Sequence, residues 1–136
     1  METIFAQVNL LAVLVSSVAY FMLGAAWYSP VLFAKPWMNA LGKKEEDFQS
    51  SPSNFIATFI AIFITVYVLG IFIVLTNANA LLPGAFVGAV AGIGFVLTSC
   101  GINSIYDGRP VKLVLITSGY HILGLTVSGI ILGIWN

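Results

Sequence analysis

One side chain in this sequence sits where chemistry would be expensive to keep without a use. His121 lies in the charge-free stretch 113–136. It stands about ten residues into a predicted membrane span, near the bilayer midplane at the ~1.5 Å rise of a helix. Cysteine and tyrosine aside, it is the only ionisable group inside any span. Ionisable groups at that depth mark proton relays, gates or ligand sites. An imidazole can also stay neutral there, with one ring N–H bonded to a hydroxyl or a carbonyl, as a purely structural group. Residue types and spacing leave both readings open. Thr117 precedes His121 at helical spacing, Gly124 and Ser128 follow on the same stripe, and Tyr120 adjoins it, so Thr117, Tyr120, His121 and Ser128 form the candidate polar site.

Other chemistry has little to work with. Ser99 and Cys100 have no base near them in sequence and read as packing residues. No Asp or Glu lies within a span, so a carboxylate-based carrier of cations or protons is unsupported. No His, Cys or Glu cluster has metal-ligand spacing, and no phosphate loop or nucleophile elbow is present. Neither metal nor cofactor is expected, nor an enzyme. The net charge of zero and the lack of a basic patch argue against a nucleic-acid partner. A single cysteine excludes an intrachain disulfide.

The charged residues form a second candidate. Asp107, Arg109 and Lys112 lie close together, and Lys35 falls on the same predicted side, beside Trp27, Tyr28 and Trp37. Such residues snorkel to the interface and set topology. They also suit an anionic lipid headgroup or a protein partner.

The elements that hold these residues follow from composition. Sixty per cent of the 136 residues are hydrophobic and 7% are charged, against about 25% charged in soluble domains. The ten charges leave the stretches 3–34, 48–106 and 113–136 free. A span needs about 20 apolar residues. The middle stretch would be about 88 Å long as one helix, so it must turn back. The expected fold is an all-α membrane protein, a compact bundle of four transmembrane helices in one domain, with spans at about 8–28, 54–76, 82–105 and 111–134. Ser29-Pro30 ends the first span. Residues 30–42 are amphipathic and predict an interfacial segment. Ser53 or Asn54 is the expected N-cap of span 2, and the 77–84 stretch NANALLPG supplies turn chemistry. With Glu2 as its only charge, the N-terminus lacks the basic region of a cleaved signal peptide.

Four spans put loops 29–53 and 106–110 on one side, and both termini with loop 77–81 on the other. All five Lys and Arg fall on or beside the first side. By the positive-inside pattern those loops are cytoplasmic and the termini lie outside.

Lipid competes for apolar side chains, so spans associate through small residues and polar contacts. Gly84, Gly88 and Gly92 form such a face on span 3, and Gly124, Ser128, Gly129 and Gly133 on span 4. Span 3 is therefore the expected central helix. Thin polar stripes (Asn9, Ser16, Tyr20, Trp27; Asn54, Thr58, Thr65, Thr76; Thr117, His121, Gly124, Ser128) should point away from lipid. Their hydroxyls either bond their own i−4 carbonyls or line a polar path. A short match between the ends of spans 1 and 3, each with Tyr, Pro and a cation, suggests a two-helix repeat.

Two segments resemble a known family. GAAWYSPVLFAKPWMNALG, 24–42, is similar to the Gly-x-x-Trp-Tyr-Ser-Pro…Phe-x-Lys-x-Trp-Met motif of domain-of-unknown-function family 1761. YDGRPVKLVLITSGYHILGLTVSGIILGIW, 106–135, resembles its C-terminal signature, in which Arg-Pro and Lys lead into Gly-Tyr-His. Glu45, Glu46 and Asp47 also sit where members carry acids. The resemblance implies a small four-span protein of a bacterial-type inner membrane with no assigned activity. Pro36, a departure from the pattern, is expected to kink the interfacial segment. The leading functional expectation is a homo-oligomeric scaffold, subunit or partner-binding protein. The alternative is an oligomeric channel or transporter for a small solute with His121 in its path. Transport predicts a water-reachable cavity at His121, and a scaffold predicts dry interfaces.

Overall fold

The computed structural model describes residues 2–44 and 51–135. Glu45, Glu46 and Asp47 of the resemblance, and Ser50, lie outside these. The described elements are α1 (Glu2–Gln7), α2 (Leu10–Trp27), α3 (Ala34–Leu41), α4 (Pro52–Leu75), α5 (Leu81–Ala91), a π-helical segment (Gly92–Leu97), α6 (Thr98–Asp107) and α7 (Val111–Trp135). Among the described residues there is no strand. α5, the π segment and α6 run on as one span, so four helices are long and apolar enough to cross a membrane. They pack against one another as an all-α bundle, and the protein is a multi-pass membrane protein.

Local chemistry explains where the helices start. Asn9, expected within a polar stripe, is instead the N-cap of α2. Its Oδ1 accepts from the N–H groups of Leu11 and Ala12 at 3.1 and 3.2 Å. Two of the first-turn donors that a helix leaves unbonded are thereby satisfied. The N-cap of α4 is Ser51, not Ser53 or Asn54, and Pro52 takes the first helical position. Proline fits there because its missing N–H has no intrahelical partner to lose. Pro36 likewise falls in the first turn of α3, which runs on to Leu41. It removes no helical hydrogen bond, so it does not interrupt the segment as expected.

Asn9 also reaches the Trp135 carbonyl, and the Ala78 and Ala80 carbonyls pack on Gly133. Thus α1, the turn after α4 and the end of α7 share one end of the bundle. At the other, Tyr28 and Trp27 stack on Trp37 and Phe33 with ring centroids 4.9 and 4.5 Å apart. This anchors α3 against the bundle beside the start of α7. This end carries the Lys and Arg residues, Lys35 on α3, Lys43 and Lys44 after it, Arg109 before α7 and Lys112 in its first turn.

The central helix is α7, a correction to the expectation for span 3. It touches α2, α3, α4, α5, the π segment and α6. The apolar window of α7 is 39% buried, against 11% for span 3. Gly84, Gly88 and Gly92 do make the tightest contact in the molecule, but on one side only. A methyl on Gly84 would overlap the Gly129 carbonyl, and one on Gly88 the Leu125 carbonyl. A methyl on Gly92 would sit 2.8 Å from the Ile122 Cα. A small-residue face buys close approach to one neighbour, whereas α7 is buried by neighbours on several sides.

The threonine stripe of α4 faces outward, contrary to expectation. Thr58, Thr65 and Thr76 are exposed and bond the Asn54, Ala61 and Phe72 carbonyls at 2.7, 2.9 and 2.7 Å. A hydroxyl satisfied by its own helix carries little cost in lipid and gives no sign of which face is buried.

Candidate functional site

The polar side chains of spans 1 and 4 meet along the α2–α7 seam. The helices are antiparallel, and contacts recur level by level. At the cation-bearing end, Trp27 Nε1 donates to the Ile116 carbonyl at 3.0 Å, and its ring lies over Gly119. The Tyr28 and Thr117 side chains approach each other at the same level. One turn deeper, the Tyr120 hydroxyl donates to the Tyr20 carbonyl at 3.1 Å. The Tyr20 hydroxyl lies 2.5 Å from His121 Nδ1. With a neutral imidazole the phenol donates and Nδ1 accepts, which leaves the ring proton on Nε2. The two tyrosines pack edge to face at 5.2 Å.

Glycines make room for these rings. A Cβ on Gly124 would lie 2.8 Å from the Tyr20 ring, and one on Gly24 2.7 Å from the Tyr120 hydroxyl. Tyr20-x-x-x-Gly24 on α2 therefore interlocks with Tyr120-x-x-x-Gly124 on α7, each ring in the other helix's notch. The Tyr-x-x-x-Gly spacing thus recurs in spans 1 and 4. Tyr20 and Tyr120 are 2% and 7% exposed, so the lock is buried.

Farther toward the termini, Ser16 and Ser128 are fully buried, and neither hydroxyl has a hydrogen-bond partner; Ser118 is the same. Unpaired buried hydroxyls disfavour a dry seam by about 1–3 kcal/mol each.

Of the expected polar site, the structure places Tyr120 and His121 at the lock, Thr117 a turn above and Ser128 two turns below. Trp27, Tyr28 and Trp37 gather around α3. Asp107 and Arg109 form a half-exposed ion pair at 3.3 Å. Lys35 and Lys112 are exposed at the same end. The sequence placed Tyr20 in a stripe without a role and gave Gly24 only as the first residue of the family motif. The repeated Tyr-x-x-x-Gly spacing was the available signal.

A small cavity of about 50 Å³ opens between α6 and α7 at the cation-bearing end, lined by Cys100, Asn103, Arg109, Leu113, Val114 and Thr117. A lateral groove of about 360 Å³ runs between α2 and α4, past Tyr28 and Tyr120. His121 lines neither.

The family model described as protein of unknown function (DUF1761) matches residues 11–133. The chain belongs to that family. The match covers the four spans nearly end to end and includes Tyr20, Tyr120 and His121. No curated protein and no solved structure matches the chain.

Proposed function

We propose that this DUF1761 protein is a small homo-oligomeric membrane scaffold, a subunit that binds partners through its outward helix faces. The supporting observation is on the outer face of span 3. Gly94 and Gly101 have open space where a side chain would be, unlike the glycines of the same span that α7 covers. Thr98 lies between them at helical spacing and is exposed. Small residues left bare in a span suit close approach by a second helix. The hydrogen-bonded seam agrees with a structural body, because its rings and imidazole bond one another.

Cross-linking tests the oligomer. With Cys100→Ser removing the native thiol, Thr98→Cys should form a disulfide-linked dimer in native membranes. Adding Gly94→Leu and Gly101→Leu should abolish it, while Thr65→Cys on the outer face of α4 should not link. A monomer at position 98 sinks the reading.

The cation-bearing end is the proposed cytoplasmic face of a bacterial inner membrane, with both termini outside. There the exposed Lys35, Arg109 and Lys112 would meet an anionic headgroup or a protein partner. A reporter enzyme active only outside the cytoplasm, fused after Asn136, should be active. An inactive but intact fusion reverses the orientation.

A further inference from the structure

We propose that the cavity between α6 and α7 is a water-filled vestibule that gives His121 proton exchange with the cation-bearing face alone. Its occupant is water, and its function is to carry protons to one buried imidazole. The inference is independent of the oligomer, since every group in it belongs to one chain.

Three observations carry it. Four polar side chains, Cys100, Asn103, Arg109 and Thr117, line the cavity together with the apolar Leu113 and Val114. Its volume of about 50 Å³ exceeds the roughly 10–15 Å³ that one water requires. The Thr117 hydroxyl and Cys100 thiol inside, with the exposed Asn103 amide and Arg109 guanidinium at the mouth, supply the two to four polar partners that hold a water.

The cavity also ends where the seam begins. Thr117 is both a wall of the cavity and a neighbour of Tyr28 at the seam. His121 stands one helical turn deeper on the same face of α7, about 6 Å along the axis. The ionisable groups around this route are Tyr20 from α2, Tyr28 at its C-cap, Tyr120 from α7, Cys100 from α6, and Arg109, which is paired with Asp107. None of these is a carboxylate that would compete with the imidazole for a proton at membrane depth.

Below His121 the way is closed. The Tyr20 ring fills the notch over Gly124 and its hydroxyl is held on Nδ1. Nε2 is left as the nitrogen that exchanges its proton.

The native Cys100 makes the test direct. The protein in nanodiscs is treated with a charged methanethiosulfonate, and exchange of the His121 Nε2 proton with water is followed by NMR before and after. Cys100 should react, and the label should slow His121 exchange by an order of magnitude or more while the α7 amide spectrum is retained. An unreactive Cys100, a His121 that does not exchange, or a labelled protein with unchanged exchange overturns the proposal. If the label disrupts the fold, Asn103→Leu with Thr117→Val removes the same polar walls and must slow exchange instead; unchanged exchange overturns it. Tyr20→Ala should open the lower side and make exchange insensitive to the label, whereas Tyr20→Phe should keep it sensitive. Sensitivity that persists in Tyr20→Ala overturns the part given to Tyr20.

Discussion

α7 is held on two sides by different means. Against α5 the contact is backbone on backbone: Gly84 lies on Gly129, and Gly88 on the Leu125 carbonyl. Against α2 it is ring in notch, with Tyr20 over Gly124 and Tyr120 over Gly24, secured by three hydrogen bonds. The first surface has no movable part, because a main-chain carbonyl cannot rotate away. The second is made of side chains with rotamers. Rigid packing is therefore assigned to α5–α7, and any adjustable chemistry to α2–α7.

The comparison can be broken most severely at Gly88. Gly88→Leu should prevent folding, because its Cβ would overlap the Leu125 carbonyl. The loss should exceed the usual overpacking cost of about 1–3 kcal/mol. Recovery of folded protein from membranes checks it, and wild-type yield with wild-type thermal stability would refute the rigid contact.

Gly124→Ala should cost less, about 1–3 kcal/mol, because the Tyr20 ring can move at the expense of its bond to His121. Combined with Tyr20→Ala the two costs should not add, and a double-mutant cycle in mixed micelles measures the coupling. Additive losses would mean that ring and notch are independent.

Tyr20→Phe keeps the ring and removes the hydroxyl. Interhelical hydrogen bonds in membranes average about 0.6 kcal/mol, so the stability loss should be near that, while the His121 ring nitrogens shift in the NMR spectrum. Unshifted nitrogens would show that Tyr20 does not hold Nδ1.

The smallest effect belongs to α4. Thr65→Val should change stability by less than about 0.5 kcal/mol, since the hydroxyl is exposed and bonds its own helix. A larger loss in a thermal-unfolding assay would put that face back inside an interface.

These outcomes follow features of unequal legibility. Gly84, Gly88 and Gly92 could be read as a packing face because three glycines at one spacing leave a flat surface whatever lies opposite. The centrality of α7 could not be read, because burial from several sides depends on how many neighbours arrive, and each neighbour comes from elsewhere in the chain. The α4 threonines misled for a related reason. A hydroxyl that can bond its own i−4 carbonyl looks the same in sequence whether it faces lipid or protein. In the candidate site, His121 stood out by its cost at membrane depth, whereas Tyr20 did not, since a tyrosine in a span is unremarkable until its partner is known.

By itself the sequence determined that the chain makes four apolar helices, because transfer into lipid is a sum over the residues of each segment. It also gathered the cations in the loops on one side, which is a property of position along the chain. Only the tertiary structure decided that Tyr20 meets His121 across 101 residues, and that one cavity stops a turn short of the imidazole. Those are properties of the register between α2, α6 and α7. Register is set by which glycines let which backbones approach, and no segment carries that information alone.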